Sequence, residues 1–198
     1  MNKLEREPIF IQSLIWGYVN EQEQLWNLKD VSDFCLDLEK NSSSRSLSNR
    51  GGFQSNDYEE EFPEILDPIV KEITRHAKDY YEFAKVDAEP KLLNLWVNVN
   101  RKHNYNSLHT HPHSFLSGTL YVKVPSGDAG NFVLHRDGKF KDYLDFVAPS
   151  DPEFYHYYSI KPEPNKILLF PSYMQHSVES NLTEDQDDAR ISLAFNFK

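Results

Sequence analysis

Phe115-Leu116-Ser117-Gly118-Thr119-Leu120-Tyr121-Val122-Lys123-Val124 alternates, with Leu116, Leu120, Val122 and Val124 on even positions and Ser117, Thr119, Tyr121 and Lys123 on odd ones. Successive side chains of a strand point to opposite faces, so this stretch reads as a strand with one apolar and one polar face. The same period recurs on either side of it. Leu93, Leu95, Val97 and Val99 alternate with Asn94, Trp96, Asn98 and Asn100, and near the C-terminus Ile191, Leu193, Phe195 and Phe197 alternate with Arg190, Ser192, Ala194 and Asn196. Everything after Pro90 therefore predicts a β-domain with turns at short intervals. Its polar faces either meet bulk water, as in an antiparallel sandwich, or line the mouth of a barrel.

The first third has a different period. Between Asn20 and Lys40 the apolar residues Leu25, Leu28, Val31, Phe34, Cys35 and Leu38 follow the three-to-four spacing of one helix face. A second helix is predicted from Pro63 to Ala84, where Ile65, Leu66, Ile69, Val70, Ile73 and Ala77 repeat on one side. Residues 41–57, rich in Ser, Asn and Gly, read as a loop. The expected fold is mainly β, its sheet backed by the two N-terminal helices. We expect a single domain over 1–198, with helical support and loop over 1–90 and the β core over 91–198. Residues 149–164, carrying Phe154, Tyr155, Tyr157 and Tyr158, read either as a further strand or as a lid.

Composition narrows the function. The chain has 198 residues and a net charge of -10, and its 13 Phe, 11 Tyr and 3 Trp supply the apolar bodies that disordered chains lack, despite a mean hydropathy of -0.66. The acidic balance disfavours nucleic-acid binding, because phosphate backbones are neutralised by Lys and Arg. No run of about 18 apolar residues is present and the N-terminus is charged, so a soluble, cytoplasmic protein with no membrane contact is expected. The single cysteine, Cys35, suits a small buried hydrophobe.

Four of the eight histidines fall within eleven residues: His103, His109, His111 and His113. On a strand, residues i and i+2 project to one side, so His109 and His111 aim two imidazoles at one point, as a first-row metal requires. Pro112 interrupts the strand before His113. A third ligand must come from elsewhere, and His176, beyond the apolar strand Ile167-Leu168-Leu169-Phe170 and a turn, is the leading candidate.

Three segments carry a family resemblance: 100–124, with His109-Thr110-His111-Pro112 and Ser117-Gly118-Thr119-Leu120-Tyr121-Val122; Leu168-Leu169-Phe170-Pro171-Ser172 through His176; and Arg190-Ile191-Ser192-Leu193-Ala194-Phe195-Asn196. Together with Ser48-Asn49-Arg50-Gly51-Gly52-Phe53-Gln54-Ser55 they resemble the Fe(II)/2-oxoglutarate-dependent dioxygenases, and most closely a small branch with a His-X-His-Pro metal strand.

The resemblance implies a double-stranded β-helix, a jelly roll of the cupin kind, with Fe(II) held at one end and 2-oxoglutarate and O2 as cosubstrates. The broad superfamily uses two His and one carboxylate. Here the carboxylate position holds His111, although Asp137 is an alternative third ligand after a loop excursion. Arg190 and Ser192, two residues apart on one strand face, resemble the Arg-X-Ser pair that holds the far carboxylate of 2-oxoglutarate, which a guanidinium fork suits. Tyr121 is a second candidate for that carboxylate, and Asn98 or Asn100 for the keto-acid end or a metal-bound water. An ordinary surface ion pair of Arg190 with Glu184, Asp185, Asp187 or Asp188 is the plain alternative.

The implied reaction is oxidative decarboxylation of 2-oxoglutarate to succinate, coupled to hydroxylation of a C–H bond in a small molecule or a peptidyl side chain. Tyr155, Tyr157, Tyr158 and Trp96 are candidates for an aromatic wall around that substrate. Two other readings stay open: a three-histidine cupin-like metalloenzyme that does not use 2-oxoglutarate, and a non-catalytic jelly-roll binding protein. The oligomeric state is open too, an exposed aromatic strand being a candidate homodimer surface.

Overall fold

The computed structural model describes residues 13–19, 25–136 and 156–198, over which the chain forms eleven strands and two α-helices, more strands than these periods alone show. The strands are β1 (Ile15–Tyr18), β2 (Asn49–Arg50), β3 (Phe53–Gln54), β4 (Leu92–Asn100), β5 (Tyr105–His109), β6 (Leu116–Lys123), β7 (Phe132–His135), β8 (Tyr157–Ile160), β9 (Lys166–Pro171), β10 (Gln175–Val178) and β11 (Arg190–Phe197). Among the described residues all pairings are antiparallel. One sheet runs β1-β9-β6-β11-β4-β3 and the other β2-β5-β10-β7-β8, so strands distant in sequence become neighbours and the chain forms the expected double-stranded β-helix.

The larger sheet has two different faces. Leu95, Val97, Val99, Leu116, Leu120, Val122, Ile191, Leu193, Phe195 and Phe197 form one cluster with the helices α1 (Leu28–Asn41) and α2 (Asp67–Phe83). From the helices Val31, Cys35, Ile69, Ile73 and Ala77 bury completely in it. The opposite face, where Tyr121, Leu168 and Phe170 join Phe132, Leu134 and Ile160, packs against the smaller sheet. The alternation in β4, β6 and β11 thus separates a greasy layer under the helices from a polar layer between the sheets. Asn98, Asn100, Ser117, Thr119, Arg190 and Asn196 are all buried there, so these polar faces do not meet bulk water.

Three expectations need correction. The first helix starts at Leu28 rather than Asn20, because the Asn27 side chain accepts a 2.8 Å hydrogen bond from the Lys29 amide and caps it; residues 20–24 lie outside the described residues. The second expected helix opens with a 3-10 turn, Glu64–Leu66, before the α-helix proper begins at Asp67 with Pro68 in its first turn. The expected loop over 41–57 contains two short strands, and they belong to different sheets: β2 pairs with β5, β3 with β4.

The turn Gly51-Gly52 carries the chain from one sheet to the other. Gly51 has φ +79°, open to glycine at little cost. At Gly52 a Cβ would lie 2.7 Å from the Val99 carbonyl oxygen, 2.6 Å from Asn100 Nδ2 and 2.7 Å from Asn49 Oδ1. Gly52→Ala is expected to destabilise the protein by about 2 kcal/mol, lowering Tm by roughly 4–8 °C. Calorimetry showing an unchanged Tm would contradict this close approach.

Among the described residues no helix is long and apolar enough to cross a membrane. Cys35 is fully buried, and burial pushes its thiol up to about 12, which fits the small hydrophobe expected. Tyr157 and Tyr158 sit in β8 at the edge of the smaller sheet, paired with His135 and Leu134, so this part of 149–164 is strand rather than lid. Phe154 and Tyr155 lie outside the described residues.

Candidate metal and cosubstrate site

Between the two sheets three imidazoles meet. His109, the last residue of β5, stands directly opposite His176 of β10, with ring centroids 4.2 Å apart. His111 lies just past the end of β5, not within it as the i, i+2 argument assumed. Its backbone N–H donates to the Ser172 carbonyl at 2.9 Å, and its ring lies 5.0 Å from both His109 and His176. One ring nitrogen from each of the three falls within 4.8 Å of the others. The other two histidines of the expected group, His103 and His113, lie outside the strands at positive φ and take no part.

The protonation states suit ligation. The Nδ1–H of His109 donates to the Ser107 carbonyl at 2.7 Å and that of His176 to the Met174 carbonyl at 2.8 Å. Such bonds fix the tautomer that leaves Nε2 as a lone pair. Burial lowers the pKa of all three rings, to about 3 for His111, with the neighbouring imidazoles adding to the effect on His111 and His176. Neutral imidazoles are the form a metal takes. His111 Nε2 and His176 Nε2 are 3.1 Å apart. Two cis ligands at about 2.1 Å from one metal stand about 3 Å apart, so this spacing matches a shared ion. Phe132 and Phe170 press against His176, which dries that side of the cluster.

A narrow cavity runs inward from the histidines, lined by Trp96, Asn98, Asn100, Thr119, Tyr121, Arg190 and Ser192 among others. Strand register orders these residues by depth. Trp96, ring to ring with His111 at 5.6 Å, marks the metal end; Asn98 pairs with Ser192, itself opposite Tyr121, and Asn100 pairs with Arg190 further in. Arg190 is 2% exposed. Its Nη1 donates to the backbone carbonyls of Ala129, Gly130 (3.1 Å) and Glu179 (3.1 Å), while its Nη2 is buried with no partner. None of Glu184, Asp185, Asp187 or Asp188 pairs with it, and Asp188 instead takes Lys123 at 2.7 Å. A buried guanidinium with one unsatisfied nitrogen is costly unless an anion completes it. Burial also pushes the Tyr121 phenol up to about 12, so it stays a protonated donor beside that cation.

The sequence reading missed Asn49 as a site residue. Its Nδ2 donates to Asn98 Oδ1 (3.2 Å) and to the Phe53 carbonyl (3.0 Å), and its Oδ1 accepts from Asn100 Nδ2 at 2.9 Å. Asn49 therefore clamps the two asparagines that line the cavity. The Gly51-Gly52 pair was the available signal, since it marks a tight turn two residues beyond it.

A family model described as "Putative 2OG-Fe(II) oxygenase" matches residues 94–196, just over half of the chain, and this span includes all three histidines and Arg190. The chain belongs to this 2OG-Fe(II) oxygenase family. Solved structures agree on the fold. A Pseudomonas putida prolyl-4-hydroxylase is 11% identical with a TM-score of 0.66, the alignment covering 94% of the oxygenase and 92% of that chain. A viral collagen prolyl hydroxylase from Paramecium Bursaria Chlorella virus-1, solved as its 2OG complex, is 11% identical with a TM-score of 0.60, covering 93% and 94%. HygX from Streptomyces hygroscopicus, solved with nickel and 2-oxoglutarate bound, is 14% identical with a TM-score of 0.55, covering 94% and 82%. No curated protein sequence matches the oxygenase.

Family membership makes Fe(II) and 2-oxoglutarate the expected occupants. The residues present fit both: three neutral imidazoles converge for the metal, and the unpartnered Arg190 Nη2 awaits a carboxylate. Among the described residues the metal cluster contains no carboxylate, and the alternative ligand Asp137 lies outside them. Of the expected aromatic wall Trp96 lines the cavity and Tyr157 and Tyr158 do not, while Tyr155 lies outside the described residues.

Proposed function

We propose that the protein hydroxylates a C–H bond of a small molecule or a peptidyl side chain, consuming O2 and 2-oxoglutarate and releasing succinate and carbon dioxide. The observation that carries this reading is the buried Arg190 fork, half anchored and half unsatisfied, in the cavity that the three histidines close. Iron with 2-oxoglutarate supplies the oxidising chemistry when bound, so the chain needs no acid or base of its own.

Its residues bind and orient. His109, His111 and His176 hold the metal through nitrogens whose tautomers the Ser107 and Met174 carbonyls set at two of the three rings. Arg190 Nη2 and the Ser192 hydroxyl take the far carboxylate, with the Tyr121 phenol as a further donor from the facing strand. Asn98, nearer the histidines, serves the keto-acid end. Asn100, opposite Arg190 and tied to Asn49, shapes the inner wall. Phe132 and Phe170 exclude water behind His176.

A three-histidine site that does not use 2-oxoglutarate leaves Arg190 no anion to hold, whereas Arg190 is buried with its Nη2 unpartnered. Turnover separates the two. Iron-loaded protein in air is expected to form succinate from 2-oxoglutarate slowly even without a second substrate, and to stop when iron is chelated. Oxygen uptake indifferent to 2-oxoglutarate would contradict the proposal.

A further inference from the structure

A second cavity opens on the other side of His109 and His111. It is a cleft of about 630 Å³, and it shares only Ser48, Trp96, His109 and His111 with the inner cavity. Its volume is that of a small-molecule site. Exposed Leu47 and Leu108 form apolar lips, while Gln54, Asn94 and Asn196 make an amide floor.

The charges of the cleft can be counted. Of the described residues lining it only Arg45, Arg50 and Asp57 carry a full charge. Arg45 Nη1 and Asp57 Oδ1 pair at 2.5 Å, and Asp57 Oδ2 also accepts from Asn94 Nδ2 at 3.2 Å, so these two cancel. The Arg50 side chain, exposed on β2, makes no hydrogen bond or ion pair with any described residue, which leaves the described lining of the cleft with one free positive charge in a chain of net charge -10. Gln54 is the second unsatisfied group. It is 3% exposed, its Oε1 has no partner, and a buried acceptor of that kind calls for an N–H or O–H donor.

We propose that this cleft seats the substrate to be oxidised, and that it selects an acylamino-acid-type carboxylate. Its single negative charge meets Arg50, its N–H meets Gln54, and its apolar side chain lies between Leu47 and Leu108 with the target carbon toward the histidines. One uncompensated arginine matches a carboxylate better than a doubly charged phosphate. The carboxylate comes either from a free N-acylated amino acid or from the C-terminal residue of a peptide. The inference rests on the oxygenase reading, since only a reaction at the histidines makes the adjoining cleft a substrate seat.

The test uses the iron- and 2-oxoglutarate-loaded protein without oxygen, and N-acetyl amino acids with aliphatic side chains as probes, each beside its carboxamide. Tripeptides with free or amidated C-termini form a second arm. Calorimetric titration is expected to show the acid binding about tenfold tighter than its amide, in the free or the peptidyl arm, and Arg50→Gln to bring that ratio close to one. Gln54→Leu is expected to weaken acid and amide alike by a similar factor, because both keep the N–H. Normal 2-oxoglutarate binding with no preference for acids, or the same preference in Arg50→Gln, overturns this inference alone. Failure of the wild-type protein to bind 2-oxoglutarate overturns the oxygenase reading and this inference with it.

Discussion

His176→Ala is expected to fold and to lose its iron. His176 is the most buried of the three rings, and it is the only one held on the β10 side of the cluster, facing His109 across the ladder. Outer partners of metal ligands are worth about tenfold to a hundredfold in affinity, so removing a ligand from a three-ligand set should cost at least about a hundredfold. Iron measured after desalting should fall from near one equivalent to a small fraction, while circular dichroism retains the β signature. The void left between Phe132 and Phe170 will lower Tm, and His176→Gln, which fills more of it, separates that packing loss from loss of the metal. Full iron occupancy in either folded variant would show that another residue is the third ligand.

Arg190→Lys is expected to keep iron and lose cosubstrate affinity. Lysine preserves the charge and can still reach a backbone carbonyl, so the variant should fold, but it lacks the planar fork that bonds Ala129, Gly130 and Glu179 with one nitrogen and offers the other to the cavity. Disturbing a buried charge-assisted pair costs about 2–5 kcal/mol, and the retained charge puts lysine near the low end, roughly a 30- to 100-fold rise in the Kd for 2-oxoglutarate. Iron affinity should change by less than about threefold. Equal loss of both would assign Arg190 to folding rather than to cosubstrate binding.

The period-two strands explain why so much of this site was legible. In β4, β6 and β11 each odd–even choice was fixed by the helix-side core, and Asn98, Asn100, Tyr121, Arg190 and Ser192 fell on the other face as a consequence. Whether that face met water or a cavity was not legible, because it depends on the second sheet, whose pairings join distant segments. His109 and His176 illustrate this: they are cross-strand neighbours separated by a long stretch of sequence, and no local pattern carries that register. His111 reached the cluster by a different route from the one expected, since the strand ends at His109 and the Ser172 carbonyl holds the following segment. Polar composition hid β2 and β3, two-residue strands whose pairing is supplied by β5 and β4 rather than by their own propensity. Tyr157 and Tyr158 mislead for the converse reason: aromatic residues suit an edge strand as well as a substrate pocket.

Anaerobic titration of the Fe(II)-loaded protein with 2-oxoglutarate tests most directly whether the three imidazoles and Arg190 hold one iron and one keto acid together. A visible metal-to-ligand charge-transfer band is expected to grow and saturate at one equivalent of 2-oxoglutarate. Folded protein that carries its iron yet develops no such band would contradict the account.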